Sequence, residues 1–179
     1  MAYFTWSAAL TAIREVIESA HGSLRTIPAG RFTDDLVEGL SEDELNRRGV
    51  RADIPIRVRF TASRKNPASP PINGSTIIRD HDLEVVVSRT ITPEQQADAD
   101  AYATLQALAM EDREALEQAL CTPPNLATTV AGTATGICGD ALIYRGSDTR
   151  VTGTAPPSKA QRFETIHRFT MTAVSRPAT

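Results

Sequence analysis

Asp80, His81 and Asp82 stand side by side, and this is the grouping in the chain best suited to proton-transfer chemistry. A carboxylate can orient an imidazole, and an imidazole exchanges protons near neutral pH. Read as part of a strand, however, three successive side chains point to alternate faces and do not converge. A polar strand start is the better reading. His167 alternates with apolar residues further along the chain, which fits a histidine packed into a core better than a catalytic base. An enzyme reading would have to run through His81 or His167, and it stands as the weaker alternative.

Other chemistry-bearing residues offer less. Gly132 to Gly139 holds three glycines but lacks both the G-x-G-x-x-G spacing and the Lys-Ser/Thr ending that grips phosphate and magnesium. It reads as a connection. Cys121 and Cys138 are the only cysteines, there is no C-x-x-C pair, and His21, His81 and His167 are scattered, so no metal site is expected. No G-x-S-x-G elbow occurs. With no catalytic set and no cofactor motif, the sequence predicts a protein that is not an enzyme and carries no cofactor. Met1 to Trp6 has no basic or long apolar region, so no signal peptide is expected. Asn73-Gly74-Ser75 then reads as a turn and not as a glycosylation site.

Charge is more informative. From Ile54 through Arg79 there are five bases and no acid; from Thr92 through Cys121 there are seven acids and one base. Segregated charge of this kind suits pairing with copies of the same chain or with an oppositely charged partner. Arg57, Arg59, Arg64 and Lys65 are the candidate contacts. They could also touch nucleic acid, although no aromatic interleaving supports single-strand recognition.

The elements that must position these residues follow from periodicity. The 179 residues are 41% hydrophobic and 23% charged with a net charge of −3, which suits one globular domain over 1–179 and argues against a wholly nucleic-acid-binding chain. No apolar run approaches the roughly 18 residues of a membrane span. Leu10, Ile13, Ile17 and Ala20 recur at helical steps and predict a helix over Ser7–Ala20, with Gly22 as its C-cap. Leu24 to Phe32 reads as an edge strand at best, and Asp34 to Glu44 as acidic helical turns, with Ser41 and Glu44 as a capping box. Ile54, Ile56, Val58 and Phe60 alternate with polar residues, as do Leu83, Val85 and Val87, and the two runs predict antiparallel strands. The Pro-rich stretch between them predicts an extended, mobile loop near 62–75. Thr92, Pro93 and Gln95 form a capping box from which a long helix should run to Leu120, bending near Glu111 and Asp112. A turn at Gly146–Asp148 between two short strands, a second loop region near 146–161, and a long strand over Phe163–Val174 complete the pattern. The expectation is an α+β fold, a mostly antiparallel sheet flanked by an N-terminal helix and one long central helix.

This order of elements resembles the tailed-bacteriophage tail terminators and the closely related head–tail completion (neck) proteins. The resemblance is carried by Ser7–Ala20, by Ile54–Phe60, by Asp82–Ile91 running into Thr92–Gln95 and the long helix, and by Glu164–Ala173. It covers about half of the chain and concerns element order, with no invariant motif. It implies a structural virion protein forming a homohexameric ring that caps the tail tube and joins it to the head. The implied partners are further copies of the chain, the tail tube protein and the head–tail connector protein, with non-specific contact to passing DNA and no membrane. The implied location is the virion neck, after assembly in the bacterial cytoplasm.

Overall fold

A computed structural model describes residues 5–18, 32–33, 56–68, 77–91, 97–122, 142–152 and 161–175. Helix α1 spans Trp6–Glu18, strands β1, β2 and β3 span Phe32–Thr33, Ile56–Lys65 and Ile77–Ile91, helix α2 spans Ala99–Cys121, and β4 and β5 span Ile143–Thr152 and Gln161–Ser175. The strands make one sheet in the order β1-β2-β3-β5-β4. The four long strands are mutually antiparallel, and the two-residue β1 adds parallel to the start of β2. The expected α+β architecture is therefore present, with both helices on one face of the sheet.

That face is the alternating one. Ile56 and Val58 of β2, Leu83, Val85 and Val87 of β3, and Phe169 and Met171 of β5 point to the helices and are almost fully buried. Helix α1 meets them with Ala9, Ala12, Ile13, Val16 and Ile17, spaced three and four apart along one stripe. The buried stripe thus runs through small and β-branched residues, and Leu10, expected in it, is only half-buried. Thr5 caps α1, its hydroxyl accepting from the Ala8 amide at 3.4 Å. Helix α2 contributes Ala115, Leu116, Ala119 and Leu120 to the same core, and Leu105 and Ala109 to a second cluster with Ile91 and Phe163. Each fully buried Ile, Leu or Phe contributes about 1.5–3 kcal/mol, so this face holds the fold together.

Three boundaries differ from the sequence reading. Helix α2 begins at Ala99, where the Asp98 carboxylate accepts from the Asp100 amide at 2.9 Å, and it runs as one helix through Glu111 and Asp112. Asp98 is the cap of this helix, and Thr92, Pro93 and Gln95 of the expected capping box lie outside the described residues. The loop expected from residue 62 is corrected, because β2 continues to Lys65 and the Asn66 amide still bonds the Ile78 carbonyl at 3.0 Å. The loop expected from residue 146 is corrected too, since Gly146, Ser147 and Asp148 lie inside a continuous β4. The physical reason is shared. Residues 61–65 and 147–151 are exposed, so neither stretch needs apolar alternation to be a strand. The remainder of both expected loops, the segment 24–31, the acidic stretch 34–44, and the Gly22 cap lie outside the described residues, as do Asn73–Ser75 and Gly132–Gly139.

The two margins of the sheet are unlike each other. On the outer side of β4 no strand pairs among the described residues, and Ile143 and Val151 are about half exposed there. On the outer side of β2 only Ile56 and Arg57 are paired among the described residues, by the short β1.

Candidate functional site

The sheet face turned away from the helices is built of charge. Strand alternation brings Arg57 and Arg59 from β2, Asp80, Asp82 and Glu84 from β3, Glu164 and Arg168 from β5, and Asp148 and Arg150 from β4 to this side. They pair across strands, and in the row Arg59–Glu84–Arg168 the charges alternate. Glu164 is held between Arg57 and Arg150, the latter donating Nε at 2.8 Å, and Ser88 donates its hydroxyl at 3.2 Å. Burial pushes the Glu164 carboxyl upward, but the two guanidiniums and Ser88 outweigh it and keep the group below the ordinary glutamate range. Glu84 is gripped by Arg59 on one side and by Arg168 on the other, whose Nε lies 3.0 Å away, while Arg168 also reaches Asp148. Asp80 accepts from Asn66 at 2.7 Å and from Thr172 at 2.8 Å. Desolvation raises Asp80, and these hydrogen bonds with the charges of Arg64 and Arg145 overcome it, leaving the group below its usual range.

Two β-bulges shape this face. In β2 the register slips between Phe60 and Ala62, so Thr61 is an inserted residue; in β4 it slips between Tyr144 and Gly146, so Arg145 is another. Phe60 pairs with Leu83, Leu83 with Phe169, and Phe169 with Tyr144, so both insertions flank one row of the sheet. Gly146 supplies the backbone for the second bulge with a φ of +134°, a conformation that residues with a side chain rarely adopt. Between the bulges lies a cleft of about 380 Å³, lined by Thr61, Arg64, Asp82, Glu84, Arg145, Arg168 and Thr170, with Leu83 and Phe169 completing the wall. Bulges recur beside functional sites because they re-aim a side chain. Here they aim Thr61 and Arg145 into the cleft.

The cleft contains a fixed hydrogen-bond chain. The Arg145 Nε donates to the Thr170 hydroxyl at 2.9 Å, and that hydroxyl donates to Asp82 Oδ1 at 2.8 Å. The other carboxylate oxygen of Asp82 takes the Arg64 guanidinium, and this bond and charge raise the Arg64 pKa.

Of the sequence candidates, Arg57, Arg59 and Arg64 all lie on this face, whereas only Arg64 lines the cleft. Lys65 is exposed at the far end of β2, beside Arg79 in register, and takes no part. Asp80 and Asp82 face the charged side and His81 the helices, so the three do not converge. His81 is buried with its ring 5.4 Å from Phe60, and desolvation, helped by the Arg79 charge, lowers its pKa. His167 is fully buried under α2, and neither ring nitrogen has a hydrogen-bond partner among the described residues. Burial lowers its pKa to about 4. Beside it Arg89 forms an ion pair with Asp112, whose side chain is fully buried. Cys121 ends α2 half-buried, and burial pushes its thiol up to about 11. Among the described residues no three His, Cys, Asp or Glu side chains gather as a metal would require, and no helix is long and apolar enough to cross a membrane.

Sequence reasoning missed Glu84, Glu164, Arg145 and Arg168. The available signal was the charged residue at alternate positions of strands whose other face is apolar. Arg145 carried no such signal, because the bulge that aims it is invisible in one sequence. No family model matches this chain, and no curated protein matches it.

Proposed function

We propose that the chain is a structural virion protein of the tail-terminator kind, which closes with its own copies into a ring, caps a tail tube and joins it to a head. The observation that carries this reading is the pair of unlike sheet margins. A contact between the β4 margin of one copy and the β2 margin of the next is heterologous, and a repeated heterologous contact closes a ring when the rotation fits. Strand addition of this type is driven by main-chain hydrogen bonds, which an exposed margin is ready to make. The half-exposed Ile143 and Val151 would be covered in such a contact. The sequence resemblance supplies the identity of the assembly: a homohexamer at the virion neck, touching the tube protein below and the connector protein above. The charged face is the surface offered to those partners. The polar groups of that face hold one another in ion pairs, which favours a recognition surface over a catalytic centre.

Deleting the gene from the virus and viewing the lysate by electron microscopy tests the assignment. Overlong tails of irregular length with unattached heads are expected. Normal tails on heads would reject the proposal, and normal but detached tails would point to a neck-joining role instead. In vitro, light scattering should find multimers at high concentration or on purified tails, and Val151→Lys at the β4 margin should return them to monomers.

A further inference from the structure

The arginines that line the cleft are not equally engaged. Arg64 is committed to Asp82, and Arg168 to Glu84 and Asp148. Arg145 makes no ion pair among the described residues; its one hydrogen bond runs from Nε to Thr170. The lining carries three arginines and the two acids Asp82 and Glu84, Arg168 having a further acid, Asp148, outside it, so Arg145 is the lining guanidinium with no ion pair among the described residues. We propose that the cleft is a receptor for a single carboxylate carried on an otherwise uncharged segment of a partner protein, and that the two terminal amino groups of Arg145 grip that carboxylate end-on.

The grip is built before the ligand arrives. The bulge with Gly146 places Arg145 in the cleft, and Thr170 anchors its Nε. The Thr170 proton is already committed to Asp82, so its lone pair faces Arg145 and holds the guanidinium plane. A planar fork held in this way offers two parallel N–H donors to a carboxylate, and the rotamer entropy that binding usually removes is largely lost already. The neighbouring wall selects the ligand. Asp80, Asp82, Glu84, Asp148 and Glu164 are interleaved with the arginines across the face. A nucleic acid, with a charge about every 1.7 Å along a duplex, would press several phosphates against those acids. One carboxylate on an otherwise uncharged stretch brings a single charge to the guanidinium that has no ion pair among the described residues. The inference goes beyond the ring proposal, since the same atoms would recognise a lone carboxylate in any assembly.

Fluorescence anisotropy with a capped, dye-labelled Gly-Gly-Glu-Gly-Gly peptide tests it on the full chain at low salt. Saturable binding in the micromolar to low-millimolar range is expected. The Gln analogue of the peptide should bind at least tenfold more weakly, and so should the wild-type peptide to Arg145→Gln. Arg145→Lys should fall between them, because a point charge keeps attraction but loses the two-pronged geometry. Arg113→Gln, an equal change of charge on the helix side, should bind like wild type. Thermal melts establish that each variant is folded; if Arg145→Gln is not, Arg145→Lys and the Gln peptide decide. Absence of binding, equal binding of the Glu and Gln peptides, undiminished binding to a folded Arg145→Gln, or tighter binding of a labelled thymidine oligonucleotide would each overturn the proposal. Because ring formation is not read in this assay, its failure leaves the assembly tests unaffected.

Discussion

His167 places an ionisable ring under α2 where neither nitrogen finds a hydrogen-bond donor or acceptor among the described residues. The charged groups around it are Asp112 and Glu117, which favour protonation, and Arg113 and Arg89, which oppose it, and desolvation exceeds them all. With the folded pKa near 4 and the unfolded value near 6.5, the unfolded chain binds the proton first. Stability is then full above about pH 6.5 and declines as pH falls through the window from 6.5 to 4. By linkage the loss between pH 7.5 and 5 is about 2 kcal/mol. Urea unfolding at these two pH values should show it, and His167→Leu should abolish most of the difference while keeping or raising stability at pH 7.5. An unchanged pH slope in the leucine variant would exclude His167 as the source. Glu164 and Asp80, both held below their ordinary range, act in the lower window, where acid protonates carboxylates whose charged forms the fold prefers.

Among the elements, β4 is the one whose course depends on a single backbone angle. Gly146 sits at a φ of +134°, and a Cβ there would meet nothing within 4 Å. The cost of a side chain is thus conformational and not steric crowding by neighbours. Gly146→Ala should lower stability by about 1–3 kcal/mol, and to the extent that the strand relaxes, the Arg145–Thr170 bond should weaken with it. Denaturant midpoints for Gly146→Ala beside Ser147→Ala, its exposed neighbour, provide the comparison. Equal midpoints would show that the positive φ is not needed. The same element shows why part of the fold escaped the sequence reading. β3 and β5 were legible because Leu83, Val85 and Val87, and Phe163, Phe169 and Met171, alternate against polar residues over a buried face. Residues 147–151 of β4 and the end of β2 are exposed on both sides, so hydrophobicity leaves no period to read there, and the glycine that reads as a turn makes a bulge. Asp112 was equally hidden, a charge within the apolar stripe of α2 whose partner Arg89 lies on a strand.

At the scale of the whole molecule, the sheet carries two different economies on its two faces. One face excludes water with aliphatic side chains and determines stability. The other is a lattice of ion pairs whose members come from four strands, and its geometry exists only when all four are in register. Isolated exposed pairs contribute about 0–1 kcal/mol each, so Arg64–Asp82 or Arg168–Asp148 adds little alone. Their joint effect is specificity, because a slip of one residue would turn every acid and arginine toward the aliphatic core. This also sets the limit of what one sequence discloses. Arg57, Arg59 and Arg64 were legible as a basic run, but their acidic partners lie up to 107 positions away, and only the fold brings Glu164 to Arg57.

The pairing of β3 with β5 governs how the chain reaches this state. Ile91 faces Gln161 at a separation of 70 positions, and Ile77 faces Ser175 at 98. β2 and β3, by contrast, are joined by a short connection from Lys65 to Ile77. Loop closure makes the near pairing entropically cheaper, so the β2–β3 hairpin is the natural early structure and β5 a late arrival. During translation at about 5–20 residues per second, β3 would wait several seconds for its central partner, with one margin of the hairpin unsatisfied. A nascent protein in that condition is open to capture by a neighbouring chain. Pulse-labelled hydrogen exchange during refolding should therefore protect the amides shared by β2 and β3 before those shared by β3 and β5, and simultaneous protection of both sets would refute this order. The central seam that makes the finished sheet continuous is also its last to close.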